Sequence, residues 1–233
     1  MLTPYFALWI QFVLIKQLKE NKMKKEITLP ETISARTEFK RKFTFGQMYL
    51  SFVYAIGAFS ILGKNKKSEL IHPDFLERLQ LAVTEVNGCA ACSYQHTKMA
   101  LNMGMSSEEI NSFLSGGEDF IDPKEAKAIV FAQHFADETG RPNKKAYDSV
   151  VDEYGEEKAE VVLAACQVML AGNMYGIPFS AFQSRLKGKK YKDSSLFYEL
   201  GMMIFGILAL PVAVLHGLIR KIFGVANKRF SKG

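Results

Sequence analysis

Apolar side chains return every three or four positions along most of the chain, and no alternation runs long enough to argue for a sheet. In the segment from Asp74 they fall at Phe75, Leu76, Leu79, Ala82, Val83 and Val86, a helical stripe that faces a core. Gly88 interrupts that pattern. Ser106-Ser107-Glu108-Glu109 reads as a capping box opening a short helix that ends near Gly116-Gly117. Asp122-Pro123-Lys124-Glu125 opens another, with Asp122 as cap and Pro123 in the first turn, and it stops at Gly140-Arg141-Pro142. A helix from about Asn143 to Tyr154 follows. Glu156 to Tyr175 is then strongly apolar and is expected to end before Gly176-Ile177-Pro178. The fold class is all-α.

Three apolar stretches lie outside this region. Leu200 to Ile219 holds no Lys, Arg, Asp or Glu in 20 positions, the length a membrane span requires. Basic residues precede it (Arg185, Lys187, Lys189, Lys190, Lys192) and follow it (Arg220, Lys221, Lys228, Arg229, Lys232), so the equal flanks choose no orientation. Pro211 near its middle suggests a kink and a re-entrant or interfacial hairpin returning to the same face. The competing reading, given Glu199 and His216 at its edges, is a helix buried in an oligomer interface. Thr44 to Gly63 is a second uncharged stretch, read as a helix that is buried or touches a membrane. The first 15 residues are apolar and give way to lysines through Lys25; without a basic start or a small-residue cleavage site they do not read as a cleaved signal peptide. Met23-Lys24-Lys25 resembles a natural start, which makes residues 1–22 an extension. The expected organisation is an N-terminal segment (1–43), an apolar helix (44–67), a helical domain (68–193) and a membrane-associated C-terminal segment (194–233).

A chain of 233 residues with 48% hydrophobic content can bury one proper core. The formal charge of +6 permits anionic partners. Its basic residues flank apolar stretches instead of interleaving with aromatics, which favours a membrane surface over nucleic acid.

The chemistry concentrates in Glu85-Val86-Asn87-Gly88-Cys89-Ala90-Ala91-Cys92, with His96 four residues on. Two cysteines three apart on a helix project from nearly the same side, close enough for a disulfide. His96 stands one turn beyond Cys92, where its ring can exchange a proton with that thiol. With Gly88 breaking the helix, Cys89 belongs at or near a new helix start, whose unpaired N–H groups and dipole favour thiolate. A structural zinc site needs four ligands and this run supplies three. Cys166 lies in an apolar run, and no spacing singles out His72 or His134, so no metal is expected. Ser93 occupies the position that haem attachment reserves for His. A redox dithiol is the favoured reading; two small core residues on a helix is the bland one. Glu77 and Glu85 sit at the edge of the upstream stripe, and Glu85 reads as a solvated charge pairing with Arg78 or Lys98.

Glu77, eleven intervening residues and then Cys-x-x-Cys-x3-His resembles the peroxidase branch of the carboxymuconolactone decarboxylase and alkylhydroperoxidase D superfamily at every interval. The likeness extends from about Ser68 to Lys187. It implies a helical domain of that superfamily with extra apolar N- and C-terminal segments. It also implies that Cys92 is the accessible, peroxide-reactive thiol and Cys89 the resolving one, with His96 as proton partner and Glu77 as the orienting carboxylate. One position departs: that branch often has a second His just before the second Cys, and here it is Ala91. That leaves a water to bridge Glu77 to the thiols. The family's oligomers imply a homotrimer or hexamer.

The expectation is a thiol-dependent peroxidase or disulfide oxidoreductase, held at the cytoplasmic face of a membrane. No flavin or nicotinamide fingerprint is present, so no cofactor is expected and the electrons must come from an external thiol or disulfide reductant. The alternatives are a lactone decarboxylase working through His96 and a carboxylate, and a non-enzymatic membrane-associated interaction protein.

Overall fold

Side-chain caps and left-handed residues set most of the helix boundaries in the computed structural model, which describes residues 31–231. A single turn, α1 (Glu31–Ser34), precedes eight longer helices among the described residues. These are α2 (Phe45–Ser68), α3 (Pro73–Asn87), α4 (Ala90–Met103), α5 (Ser107–Ser115), α6 (Ala126–Asp137), α7 (Lys144–Tyr154), α8 (Glu156–Leu186) and α9 (Leu196–Ile222). No strand occurs among the described residues, so the chain is all-α. Residues 1–22, read above as an extension, lie outside the described part.

Thr44 caps α2 reciprocally: its hydroxyl accepts from the Gln47 N–H, and the Gln47 side chain accepts from the Thr44 N–H at 2.8 Å. The box expected at Ser106 is half formed. Ser106 accepts from the Glu109 N–H at 3.0 Å, but the Glu109 carboxylate turns instead to Arg78 at 2.9 Å. Arg78 also donates to Glu125 at 3.2 Å, tying α3 to α5 and to the start of α6. Burial pushes the Glu125 carboxyl above its usual range, and Arg78 opposes the rise. Regular helix α6 begins at Ala126, later than expected, because Asp122 caps a turn, accepting from the Lys124 N–H at 2.8 Å. Asn143 caps α7, and His134 accepts from the Asn143 N–H at 3.0 Å, a packing role for that histidine.

The expectation that helix α8 stops before Gly176-Ile177-Pro178 is wrong: it runs on to Leu186. Pro178 removes one helical donor, yet α8 is the central element, with 83% of its most apolar stretch buried, and packing on all sides outweighs the local cost. α2, α3, α4, α6, α7 and α9 all pack against it. α3 is bound to it through buried polar groups. Asn173 donates to the Val83 carbonyl at 3.4 Å and accepts from Thr84 Oγ1 at 3.3 Å.

α2, α8 and α9 are each long and apolar enough to cross a membrane by length and composition. The hairpin expected at Pro211 does not form; α9 is one continuous helix through that residue. It runs antiparallel to α8 and parallel to α2. Gly206 lies against Tyr175 of α8, and Gly217 lies against Val53 and Ile56 of α2. Glu199, fully buried, accepts two 2.7 Å bonds from Arg185 and one of 2.6 Å from Ser194, and His216 meets the Tyr49 hydroxyl at 3.0 Å. Both polar groups at the edges of the apolar stretch are therefore satisfied within the chain.

Candidate active site

The site starts from a glycine. Gly88 ends α3 in the left-handed region (φ 73°), and its carbonyl accepts from Arg36 at 3.0 Å. A side chain there would meet Arg36 and, at 2.6 Å, Lys40 Cβ, so glycine is required both by conformation and by close approach. Lys40 in turn pairs with Glu85 and donates to its carbonyl at 2.9 Å. Glu85 is thus bound to Lys40 from the segment before α2; of the two partners expected for it, Arg78 or Lys98, Arg78 is held instead by Glu109 and Glu125.

Cys89 follows as the N-cap of α4, and its Sγ accepts from the Cys92 N–H at 3.2 Å. Cys89 and Cys92 are joined in a disulfide with Cα atoms 5.2 Å apart. Cys89 is fully buried and Cys92 is half-buried, so Cys92 is the more accessible residue of the pair. Two residues of α8 that the sequence reading did not connect to the site complete its walls. Ser180 of α8 accepts from the Ala91 N–H at 3.0 Å and donates to the Gly176 carbonyl at 2.7 Å. A Cβ on Gly176 would lie 2.6 Å from Cys89 Sγ and 2.7 Å from Cys92 Sγ, so α8 presents bare backbone to the sulfurs. Neither contact has a local sequence signal, since about ninety residues separate α8 from the dithiol.

Glu77 on α3 is 2% exposed, and His96 Nδ1–H donates to its carboxylate at 2.7 Å. A carboxylate at Nδ1 places that proton there and leaves Nε2 as the free nitrogen. Glu77, Cys89, Cys92 and His96 are brought together by the packing of α3 on α4, and α8 closes the sulfur side. Arg36 adds positive charge at the turn before Cys89, whereas the charge of Lys40 is offset by Glu85; a cation beside a reduced cysteine favours its thiolate. Cys166 lies elsewhere in α8, fully buried, with its thiol pushed far up by burial.

The family model described as "Carboxymuconolactone decarboxylase family" matches residues 68–133, which hold α3 through the first part of α6. The chain is also 31% identical over 111 residues to the "Uncharacterized protein YdfG" of Bacillus subtilis (strain 168), covering 45% of this chain and 74% of that protein. The chain belongs to the carboxymuconolactone decarboxylase family. Its all-helical architecture agrees with an alkylhydroperoxidase D-like fold carrying extra apolar helices. No solved structure matches the chain. Within the family match lie all four residues of the Glu77–His96 and Cys89–Cys92 arrangement, whereas Gly176, Ser180, Arg36 and Lys40 lie outside it.

Proposed function

We propose that this family member is a thiol-dependent peroxidase or disulfide oxidoreductase that cycles Cys89 and Cys92 between dithiol and disulfide. The reading is carried by one observation: a disulfide at a helix N-terminus, one turn from a histidine that a buried carboxylate orients. In the reduced enzyme His96 Nε2 takes the Cys92 proton, and the Cys92 thiolate attacks one peroxide oxygen. The O–O bond breaks, Cys92 becomes a sulfenic acid, and the departing alkoxide receives the proton from His96 to leave as alcohol. Cys89, its sulfur beside the Cys92 N–H, then attacks the sulfenic sulfur. Water leaves and the disulfide forms.

An external thiol regenerates the dithiol. It attacks the half-buried Cys92 sulfur, and Cys89 departs as a thiolate stabilised at the helix start; a second thiol of the reductant then resolves the mixed disulfide at Cys92, so that both cysteines end as thiols and the reductant as its own disulfide. The same two steps without peroxide make a disulfide oxidoreductase, so the two activities share one centre.

Substoichiometric hydrogen peroxide, followed by mass spectrometry of the peptide spanning residues 89–96, tests the reading in the reduced protein. It expects an intramolecular disulfide in the wild type, no peroxide consumption in Cys92→Ser, and a trapped sulfenic acid or mixed disulfide in Cys89→Ser. Full peroxide consumption in both variants would end it. Lactone decarboxylation that survives thiol alkylation would favour the family's other chemistry.

A further inference from the structure

α9 has two faces of opposite character. Met202, Gly206, Ala209, Ala213 and Gly217 point inward and are buried against α2 and α8. The small residues let the backbones close in: a Cβ on Gly206 would meet the Tyr175 ring at 2.8 Å, and one on Gly217 would meet Ile56 at 2.8 Å. The opposite stripe, Phe197, Ile204, Leu208, Val212, Leu215 and Ile219, is open, with exposures from 43% at Ile219 to 91% at Phe197. Only 22% of the most apolar stretch of α9 is buried, against 83% for α8. A face this long and apolar marks a contact surface.

The fold argues against α9 crossing a bilayer. Tyr175 abuts Gly206 at the middle of α9, and the next residue, Gly176, abuts the Cys89 and Cys92 sulfurs from an adjacent face of α8. The start of α4, and with it the Glu77–His96 pair one turn further on, therefore stands near the level of the middle of α9, behind α8. Were α9 to span, these ionisable groups would stand at the depth of the hydrocarbon, where charge is strongly disfavoured. Laid flat, α9 puts its stripe into the interface and keeps them in water.

Charge chooses the occupant of that face. Exposed Lys187, Lys189, Lys190 and Lys192 gather just before α9. Exposed Lys64, Lys66 and Lys67 end α2, which runs parallel to α9, and so lie near its far end, where Lys221 bonds Ser60. The stripe is thus flanked by lysines at both ends. A second copy, docked in either direction, would set lysines against lysines. An anionic lipid surface complements them.

We propose that α9 is a monotopic anchor lying in the plane of an anionic membrane surface, with its Phe197–Ile219 stripe in the lipid and both lysine clusters on one side. The inference does not depend on the redox reading. Flotation of the full chain with sealed phosphatidylcholine vesicles, with and without phosphatidylglycerol, tests it. The wild type is expected to float with the anionic vesicles, and salt is expected to weaken the binding. Lys189→Gln with Lys190→Gln should lower affinity by about fivefold per lysine. Leu208→Asp with Leu215→Asp should lose flotation while keeping the wild-type circular dichroism melt, since both side chains are exposed. A membrane-impermeant amine reagent, added outside to the vesicle-bound wild type, should label Lys190 and Lys221 together. Labelling at one end alone means a span and overturns the proposal. So does undiminished flotation of the aspartate variant, which places the anchor elsewhere in the chain. Absent vesicle binding, with light scattering showing an oligomer that the aspartates dissociate, assigns the face to a second copy and also overturns it.

Discussion

Gly176→Ala adds one methyl group where α8 passes the disulfide. The added carbon would stand 2.6 Å and 2.7 Å from the two sulfurs, about 1 Å inside ordinary contact. Two terms oppose each other. Alanine for glycine in a helix interior contributes about 0.5–1 kcal/mol of stability. Overpacking a filled core costs about 1–3 kcal/mol, and here the obstructing atoms are cross-linked sulfurs that cannot swing aside. The clash wins in the oxidised protein, for a net loss of roughly 1–2 kcal/mol. Reduction frees the half-buried Cys92 side chain to change rotamer, so the dithiol form feels less of it and the helix gain offsets more. The substitution should therefore favour the dithiol. If the difference between forms is about 1.4 kcal/mol, the reduction potential rises by about 30 mV. Melting the oxidised and reduced proteins separately, and titrating the couple against glutathione, measures both consequences. An unchanged potential together with an unchanged oxidised melt would show that α8 does not press on the sulfurs, and the geometry of the site would have to be redrawn.

Three further outcomes follow from other contacts. Asn173→Ala leaves the Thr84 hydroxyl and Val83 carbonyl buried without that partner, and should cost about 1–3 kcal/mol in denaturant unfolding; a neutral result would mean α3 is not held to α8 this way. Under the proposed chemistry, His96→Asn should lower peroxidase kcat/KM by about 10²–10⁴-fold, and Glu77→Gln should lower it less because an amide oxygen still accepts from Nδ1–H. Rates within twofold of wild type for His96→Asn would remove that residue from the proton path. In the reduced native protein iodoacetamide should modify Cys92 and spare Cys166, whose thiol is raised by complete burial; equal labelling by peptide mass spectrometry would contradict that burial.

The parts legible in the sequence are those that local spacing determines. Glu77, Cys89, Cys92 and His96 fall within twenty residues on two consecutive helices, and Gly88 between them permits one tight reversal. The cap at Ser106 acts over three residues and is read directly, while Thr44 and Asn143 are legible as segment starts and act as caps in the fold. The readings that failed are those that tertiary contacts decide. Gly176 and Pro178 carry the local signature of a helix end, and burial on all sides of α8 overrides it. Pro211 carries the signature of a bend, and packing of Gly206 and Gly217 against neighbouring helices keeps α9 continuous through it. Glu85 and Arg78 are close enough in sequence to suggest a pair, but each finds a partner more than thirty residues away.

α8 explains why the most apolar parts of the chain and its only close pair of thiols belong to one arrangement. Consecutive residues, Tyr175 and Gly176, touch α9 from one face and the sulfurs from the adjacent face, so the same turn of helix fixes the depth of both. A glycine is needed on the sulfur side because the α4 start comes in at backbone distance, and another at Gly206 because an aromatic ring fills the other side. Local helix propensity opposes both glycines, and close packing on the two faces of α8 retains them. It follows that widening either contact should be felt at the other: Gly206→Val, at the α9 contact, should displace Tyr175 and alter the accessibility of Cys92. The alkylation rate of Cys92 in the reduced variant measures this coupling, and an unchanged rate would show that α8 isolates the two faces.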